Sequence, residues 1–85
     1  MKLRVLYFAR LRETVGVAGE DLELPAGVET IAQLREHLID RGAEWADAFA
    51  PSRRIRAALN QDMVGDETPL EDGAEIAFFP PVTGG

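Results

Sequence analysis

The sequence predicts an α+β domain, a mixed β-sheet with one main crossover helix on one face. Two segments of alternating apolar residues open the chain, and an amphipathic helical segment follows them. Further strand-like segments complete the order strand, strand, helix, strand, short strand, strand. Because crossover connections are right-handed, the helix is expected to cover one face of the sheet.

The first two strands are predicted over residues 2–9 and 20–24. Alternation gives the first strand one apolar face, formed by Leu3, Val5, Tyr7 and Ala9. The second face starts polar and ends apolar, and it is formed by Lys2, Arg4, Leu6 and Phe8. Residues 10–19 are predicted as a solvated connection. The second strand, antiparallel to the first, should point Leu22 and Leu24 inward.

A helix is predicted from Thr30, because Thr30 and Gln33 have the spacing of a capping box. Gly42 is its predicted C-terminal cap. Apolar residues recur at helical spacing and form the predicted buried stripe: Ile31, Leu34 and Leu38.

The second half of the chain predicts a short helix and three strands. Residues 43–50 are expected to form a helical lid in which Trp45 and Phe49 cover one end of the core. Residues 55–59 alternate as a strand, residues 63–64 form a short edge strand, and residues 74–79 form the last strand.

This order of elements is that of the β-grasp, or ubiquitin-like, architecture, in which the first and last strands lie parallel and adjacent at the centre. If Ile76 and Phe78 join the core under the helix, Phe79 and Phe8 are left on the opposite, open face. Two neighbouring exposed phenylalanines predict a protein interface at that end of the sheet.

Composition narrows the classes of function. The length of 85 residues predicts a single domain, placed over residues 1–79. A net charge of −6 argues against a nucleic-acid partner, and no apolar run is long enough to predict a membrane span. The absence of cysteine excludes a thiolate nucleophile and a thiolate metal site, and a cytoplasmic location is the default expectation.

Residues 80–85 are predicted as an extended, flexible C-terminal tail. Pro80 and Pro81 cannot donate ladder hydrogen bonds, so the sheet should end at Phe79. After Val82 and Thr83 come Gly84 and Gly85, a thread without Cβ atoms that could enter a narrow channel with its carboxylate first.

Four stretches carry a resemblance to a known family: residues 1–16 with the run 5–13, residues 59–61, residues 68–70 with 72–73, and above all residues 78–85, whose sequence is FFPPVTGG. Together they resemble the small, sulfur-carrier subunit of molybdopterin synthase. The terminal stretch is the most specific of the four, since a bare Gly-Gly end also occurs in other sulfur carriers and in ubiquitin.

The resemblance implies that Gly85 is adenylated by an enzyme similar to ubiquitin-activating enzymes, which uses ATP and magnesium. A sulfurtransferase system then forms a C-terminal thiocarboxylate, and the large synthase subunit transfers the sulfur to cyclic pyranopterin monophosphate. The tail residues Pro80 to Gly84 would be recognised by these partners, and Phe8, Met63 and Phe79 would form the protein interface. The chain itself would bind no cofactor or metal and would provide no catalytic side chains.

Two other functions remain open at this point. One is a sulfur carrier for another pathway, such as thiazole formation for thiamin. The other is a ubiquitin-like interaction module or modifier, whose tail bonds to lysine or is never activated.

Overall fold

The structure, a computed structural model, describes residues 1–81. Within this range five strands form one sheet in the order β2-β1-β5-β3-β4: β1 (Lys2–Tyr7), β2 (Gly19–Glu23), β3 (Arg56–Leu59), β4 (Asp62–Val64) and β5 (Glu75–Phe79). The helices are α1 (Ala9–Val15), α2 (Ile31–Ile39) and α3 (Ala43–Ala48), with a 3-10 helix at Pro51–Arg53.

The first and last strands lie parallel at the centre of the sheet. Val5 pairs with Ile76 and Tyr7 pairs with Phe78, and all four side chains are buried under the helices. The other strand pairs, β1 with β2, β3 with β5 and β3 with β4, are antiparallel. The predicted β-grasp architecture is therefore confirmed, together with the predicted parity of β5.

Helix α2 is the crossover element between β2 and β3. Its capping box is complete: the Thr30 hydroxyl accepts from the Gln33 backbone N–H, and the Gln33 side chain accepts from the Thr30 N–H. The predicted apolar stripe faces the sheet, and its three residues are fully buried: Ile31, Leu34 and Leu38.

Helix α3 covers one end of the core, as predicted. Phe49 is buried just beyond it and meets Phe78 edge to face, with ring centroids 5.0 Å apart. Trp45 is half-buried and meets Tyr7 in the same manner at 5.4 Å. These edge-to-face contacts lock the lid onto the two central strands.

Two sequence predictions, about the first strand and about the connection that follows it, were wrong. Residues 9–15 form α1 rather than a loop, because Leu11 and Val15 lie one helical turn apart and are both buried. Ala9 is exposed and outside the strand, since its φ of 54° turns the chain out of β1. Gly16, in the left-handed conformation, donates its N–H to the Arg12 carbonyl and closes the helix.

The predicted cap of α2 was also wrong. The C-cap is Asp40, and Gly42 instead stands at the N-terminus of α3 with φ 149° and ψ −179°. That conformation is essentially restricted to glycine. Position 42 does require glycine, but glycine serves there as the N-cap of α3 and not as the C-cap of α2.

Among residues 1–81, none of the helices has the length and apolar character needed to cross a membrane.

Candidate functional site

The tail leaves the sheet from its central strand. Strand β5 ends at Phe79, and the half-buried Pro80 and Pro81 follow without regular secondary structure. The predicted tail residues Val82, Thr83, Gly84 and Gly85 lie outside the described residues. The candidate site is therefore the surface around the end of β5, where the tail begins.

Phe79 lies at the point where the tail begins, and Phe8 lies beside it at the end of the neighbouring strand β1. Phe8 follows β1 directly, leaves 43% of its surface exposed, and donates its backbone N–H to the Phe78 carbonyl at 3.1 Å. Phe79 is half-buried and belongs to the face opposite Phe78. Both aromatic side chains thus escape the core, as parity predicts, while their role as partner contacts stays a prediction.

An uncharged row crosses the open face through all five strands. Strand pairing aligns these residues in the order Gly19, Leu6, Ala77, Ala58 and Met63. Met63, at the far end, is 53% exposed, whereas Ala58 is shielded by its neighbours. We call this set the apolar row.

At the other end of the row, Leu6 lies over Gly19. A Cβ atom at Gly19 would stand only 2.8 Å from Leu6 Cδ2, so glycine lets the leucine lie flat against the edge strand. Met63 was named from the resemblance, but the other members of the row were missed. Each strand contributes only one of them, so the row is visible only after the strands are aligned.

A polar row borders the apolar row on the side away from the tail. Asp21, Arg4 and Glu75 are aligned across three strands, and Arg4 contacts the Asp21 carboxylate at 3.4 Å. Asn60 continues the row, accepting the Glu75 N–H through its side chain at 2.9 Å. Charged and polar side chains thus lie beyond the apolar row on the side of the open face away from the tail.

A small groove of about 50 Å³ lies beside the tail root. It is bounded by α1, the end of α3, the 3-10 helix and the first tail residue, with these lining residues: Arg10, Leu11, Thr14, Ala48, Arg53, Ile55 and Pro80. Two of them are arginines, of which Arg53 pairs with Asp47 at 3.1 Å. Positive charge thus accompanies the start of the tail.

The titratable groups with shifted pKa values lie on the helix-covered face. The Tyr7 hydroxyl donates to Glu20 at 2.8 Å, and burial, reinforced by this bond, raises the pKa of Tyr7 far above its ordinary value. Burial alone would raise the pKa of Glu20, but hydrogen bonds from Arg41 and Tyr7 and the Arg41 charge outweigh it and lower that pKa. This cluster joins β1, β2 and the end of α2.

The described residues include few side chains placed to act as metal ligands or catalysts. Within residues 1–81 there is no group of three or more histidine, cysteine or acidic side chains placed to hold a metal ion. His37, on α2, is half-exposed. What the arrangement presents is a surface, with apolar and basic parts, around the start of the tail.

Comparison with known proteins shows the family to which this chain belongs. The sequence pattern of the ThiS family matches residues 5–85. The molybdopterin synthase sulfur carrier subunit of Escherichia coli is 43% identical over 83 residues, covering 98% of this chain and 99% of that protein.

Solved structures agree with this assignment. Molybdopterin converting factor subunit 1 from Pyrococcus furiosus superposes with a TM-score of 0.77 at 32% identity, over 96% of this chain and 99% of that one. A chain in the complex of subunits 1 and 2 of the molybdopterin-converting factor from Helicobacter pylori gives 0.68 at 26% identity, with both chains fully covered. The chain therefore belongs to the ThiS family, among the molybdopterin synthase sulfur carrier subunits.

Proposed function

We propose that this chain is the sulfur carrier subunit of molybdopterin synthase and that it carries sulfur as a thiocarboxylate on Gly85. The observation that carries the proposal is the apolar row, which runs across the open face beside the root of a tail ending in Gly-Gly. A surface of this kind suits a protein that docks on a partner and offers its chain end to that partner.

The chemistry follows from the residues available. A carboxylate is a poor electrophile, whereas its mixed anhydride with AMP has a good leaving group. A sulfur nucleophile can then displace AMP and leave a thiocarboxylate at Gly85. Because the chain lacks cysteine, no thiol side chain can carry the sulfur, so the C-terminal carbon is the natural carrier.

The partners supply what the chain lacks. An adenylating enzyme similar to ubiquitin-activating enzymes would use ATP and magnesium, and a sulfurtransferase system would provide the sulfur. The large subunit of the synthase would then transfer the sulfur to cyclic pyranopterin monophosphate, with its own general acids and bases. The similar chain from Helicobacter pylori belongs to a solved complex of subunits 1 and 2, which supports a large-subunit partner.

The open face provides the contact with the large subunit. Phe8 and Met63 expose 43% and 53% of their surfaces, and Phe79 stands at the exit of the tail. Removing aromatic and methionine side chains from water on association is favourable, and such residues are enriched at the cores of interfaces. The tail residues Pro80 to Gly84 would then enter the partner's channel, the prolines restricting the approach and the glycines fitting the narrowest part.

Mass spectrometry tests this function directly. The full chain is incubated with the adenylating enzyme, ATP, magnesium and the sulfur donor, and its mass should increase by the difference between sulfur and oxygen. Addition of the large subunit and cyclic pyranopterin monophosphate should return the original mass and produce molybdopterin. The matched control lacks Gly85 only; it should fold normally and acquire no sulfur.

The alternatives give different products in the same assay. A carrier for thiazole formation would gain sulfur but would not transfer it to the pterin. A modifier would instead form an amide with a lysine of another protein. A chain without Gly85 that still supported molybdopterin formation would overturn the proposal.

A further inference from the structure

We propose that Arg10, Arg53 and Arg56 form a basic rim around the root of the tail that docks on an acidic surface of the large synthase subunit. The inference rests on the proposed function, since it names the chemistry of the partner's surface. We call these three residues the arginine rim.

Charge is unevenly distributed in this chain. Residues 8–16 and 47–57 contain five arginines and two carboxylates, a formal charge of +3. Because the net charge of the chain is −6, the remaining residues carry −9. An acidic protein thus keeps most of its arginines in two short segments.

The fold brings these two segments to the end of the sheet from which the tail departs. Helix α1 follows β1, which is parallel to β5, and the 3-10 helix precedes β3, which is antiparallel to β5. Arg10 and Arg53 consequently line the same groove as Pro80. Arg56 pairs with Phe79, so its side chain lies on the open face next to that aromatic ring.

The charges of the rim are available to a partner. Among residues 1–81, neither Arg10 nor Arg56 takes part in an ion pair, and both are exposed. Arg53 pairs with Asp47, but the two side chains keep 40% and 60% of their surfaces exposed. Solvent weakens such a pair, so the Arg53 guanidinium can exchange it for a carboxylate of a partner.

An acidic protein surface is the occupant that fits both charge and place. Guanidinium groups form paired hydrogen bonds with carboxylates. A long nucleic acid would also attract arginines, but the charge of −9 on the rest of the chain would repel its phosphates. The rim is continuous with Phe79 and the apolar row, so it has the position of the polar margin of an apolar interface.

Charges at the margin of an interface mainly increase the rate of association, by steering the partners into register. The test is stopped-flow association of the full chain with the large subunit at several salt concentrations. Arg10→Glu/Arg56→Glu is compared with the wild type and with Lys2→Glu. Lys2 is an exposed cation at the opposite end of β1, about 20 Å from Phe8 at the rise of a strand.

We expect the rim variant to associate at least about tenfold more slowly at low salt, with the difference shrinking at about 1 M salt, where screening is strong. Lys2→Glu should associate within about twofold of the wild type, because steering acts where the tail enters. Melting temperatures of all three proteins should be similar, since the substituted side chains are exposed. This combination of results would establish the rim.

Equal rates for the rim variant and the wild type, or equal slowing by Lys2→Glu, would overturn the rim and leave the proposed function intact. Faster association of the rim variant would show that the partner's surface is basic, which also overturns it. If the wild type itself does not bind the large subunit, that result contradicts the proposed function, and it contradicts the arginine rim as well.

Discussion

The Tyr7 hydroxyl donates a 2.8 Å hydrogen bond to Glu20, whose carboxylate also accepts two hydrogen bonds from Arg41, at 2.7 and 3.1 Å. The guanidinium of Arg41 lies 4.7 Å from the centre of the Trp45 ring. The Glu20 carboxylate thereby links β1 and β2 to the segment between α2 and α3, and Arg41 extends the contact to Trp45 of α3.

We predict that this carboxylate makes stability depend on pH. The pKa of Glu20 is lower in the folded than in the unfolded chain, so its contribution is complete above the unfolded value of about 4.3 and is lost as pH falls through the folded value. Chemical denaturation from pH 7 to pH 3 should show a loss of stability that is smaller in Glu20→Gln. Parallel curves for the two proteins would contradict this.

The hydroxyl of Tyr7 can be tested separately. Tyr7→Phe keeps the ring in the core and removes only the hydrogen bond, so we expect a loss of about 1 kcal/mol in the free energy of unfolding. Binding to the large subunit should be unchanged, because the hydroxyl lies on the helix-covered face.

Phe79 and Phe78 form a matched pair for separating binding from stability. Phe79→Ala should weaken binding to the large subunit by more than about 1 kcal/mol, as buried interface aromatics do, and cost little stability. Phe78→Ala removes a fully buried ring and should cost about 3–5 kcal/mol of stability. A large loss of stability with unchanged binding for Phe79→Ala would show that this ring belongs to the core.

A charge in the apolar row should block docking. Ala77 lies at its centre. Ala77→Asp would bury an unpaired carboxylate on association, and the loss of its hydration would oppose binding. We expect at least about tenfold weaker binding, equivalent to 1.4 kcal/mol. Glu75→Gln, two residues earlier on the same face, is the control and should bind nearly as the wild type does; isothermal titration calorimetry distinguishes the two.

The terminal glycines should be essential for function and irrelevant to stability. A β-branched side chain restricts the backbone and adds bulk, so Gly85→Val should suppress adenylation, where the reacting carbon must be seated. Gly84→Val should leave docking on the large subunit intact but slow the transfer of sulfur to the pterin. AMP-adduct formation and single-turnover sulfur transfer separate the two steps, and wild-type rates for both variants would contradict the expectation.

Sequence reasoning succeeded where a pattern is local. The capping box at Thr30 and the alternation in β5 each lie within a few residues, and both predicted the fold correctly. Helix α1 was missed because its apolar signal consists of only Leu11 and Val15 among charged residues. Gly42 was recognised as a special backbone position but assigned to the wrong helix.

The surface described as the candidate site could be predicted from the sequence less completely than the fold. Phe8 and Phe79 could be found from parity within single strands. The apolar row and the arginine rim could not, because their members are brought together by the pairing of strands distant in sequence. Such surfaces depend on register, which alternation in one strand does not specify.

The central position of β5 also determines how the molecule bears load. A pulling force on the tail directed along β5 would act on a strand that is hydrogen-bonded to β1 on one side and to β3 on the other. The ladder bonds on both sides are then sheared together rather than opened one after another, as they would be at an edge strand. A partner that pulled on the chain end along β5 would therefore load both ladders at once and would not unzip the domain strand by strand.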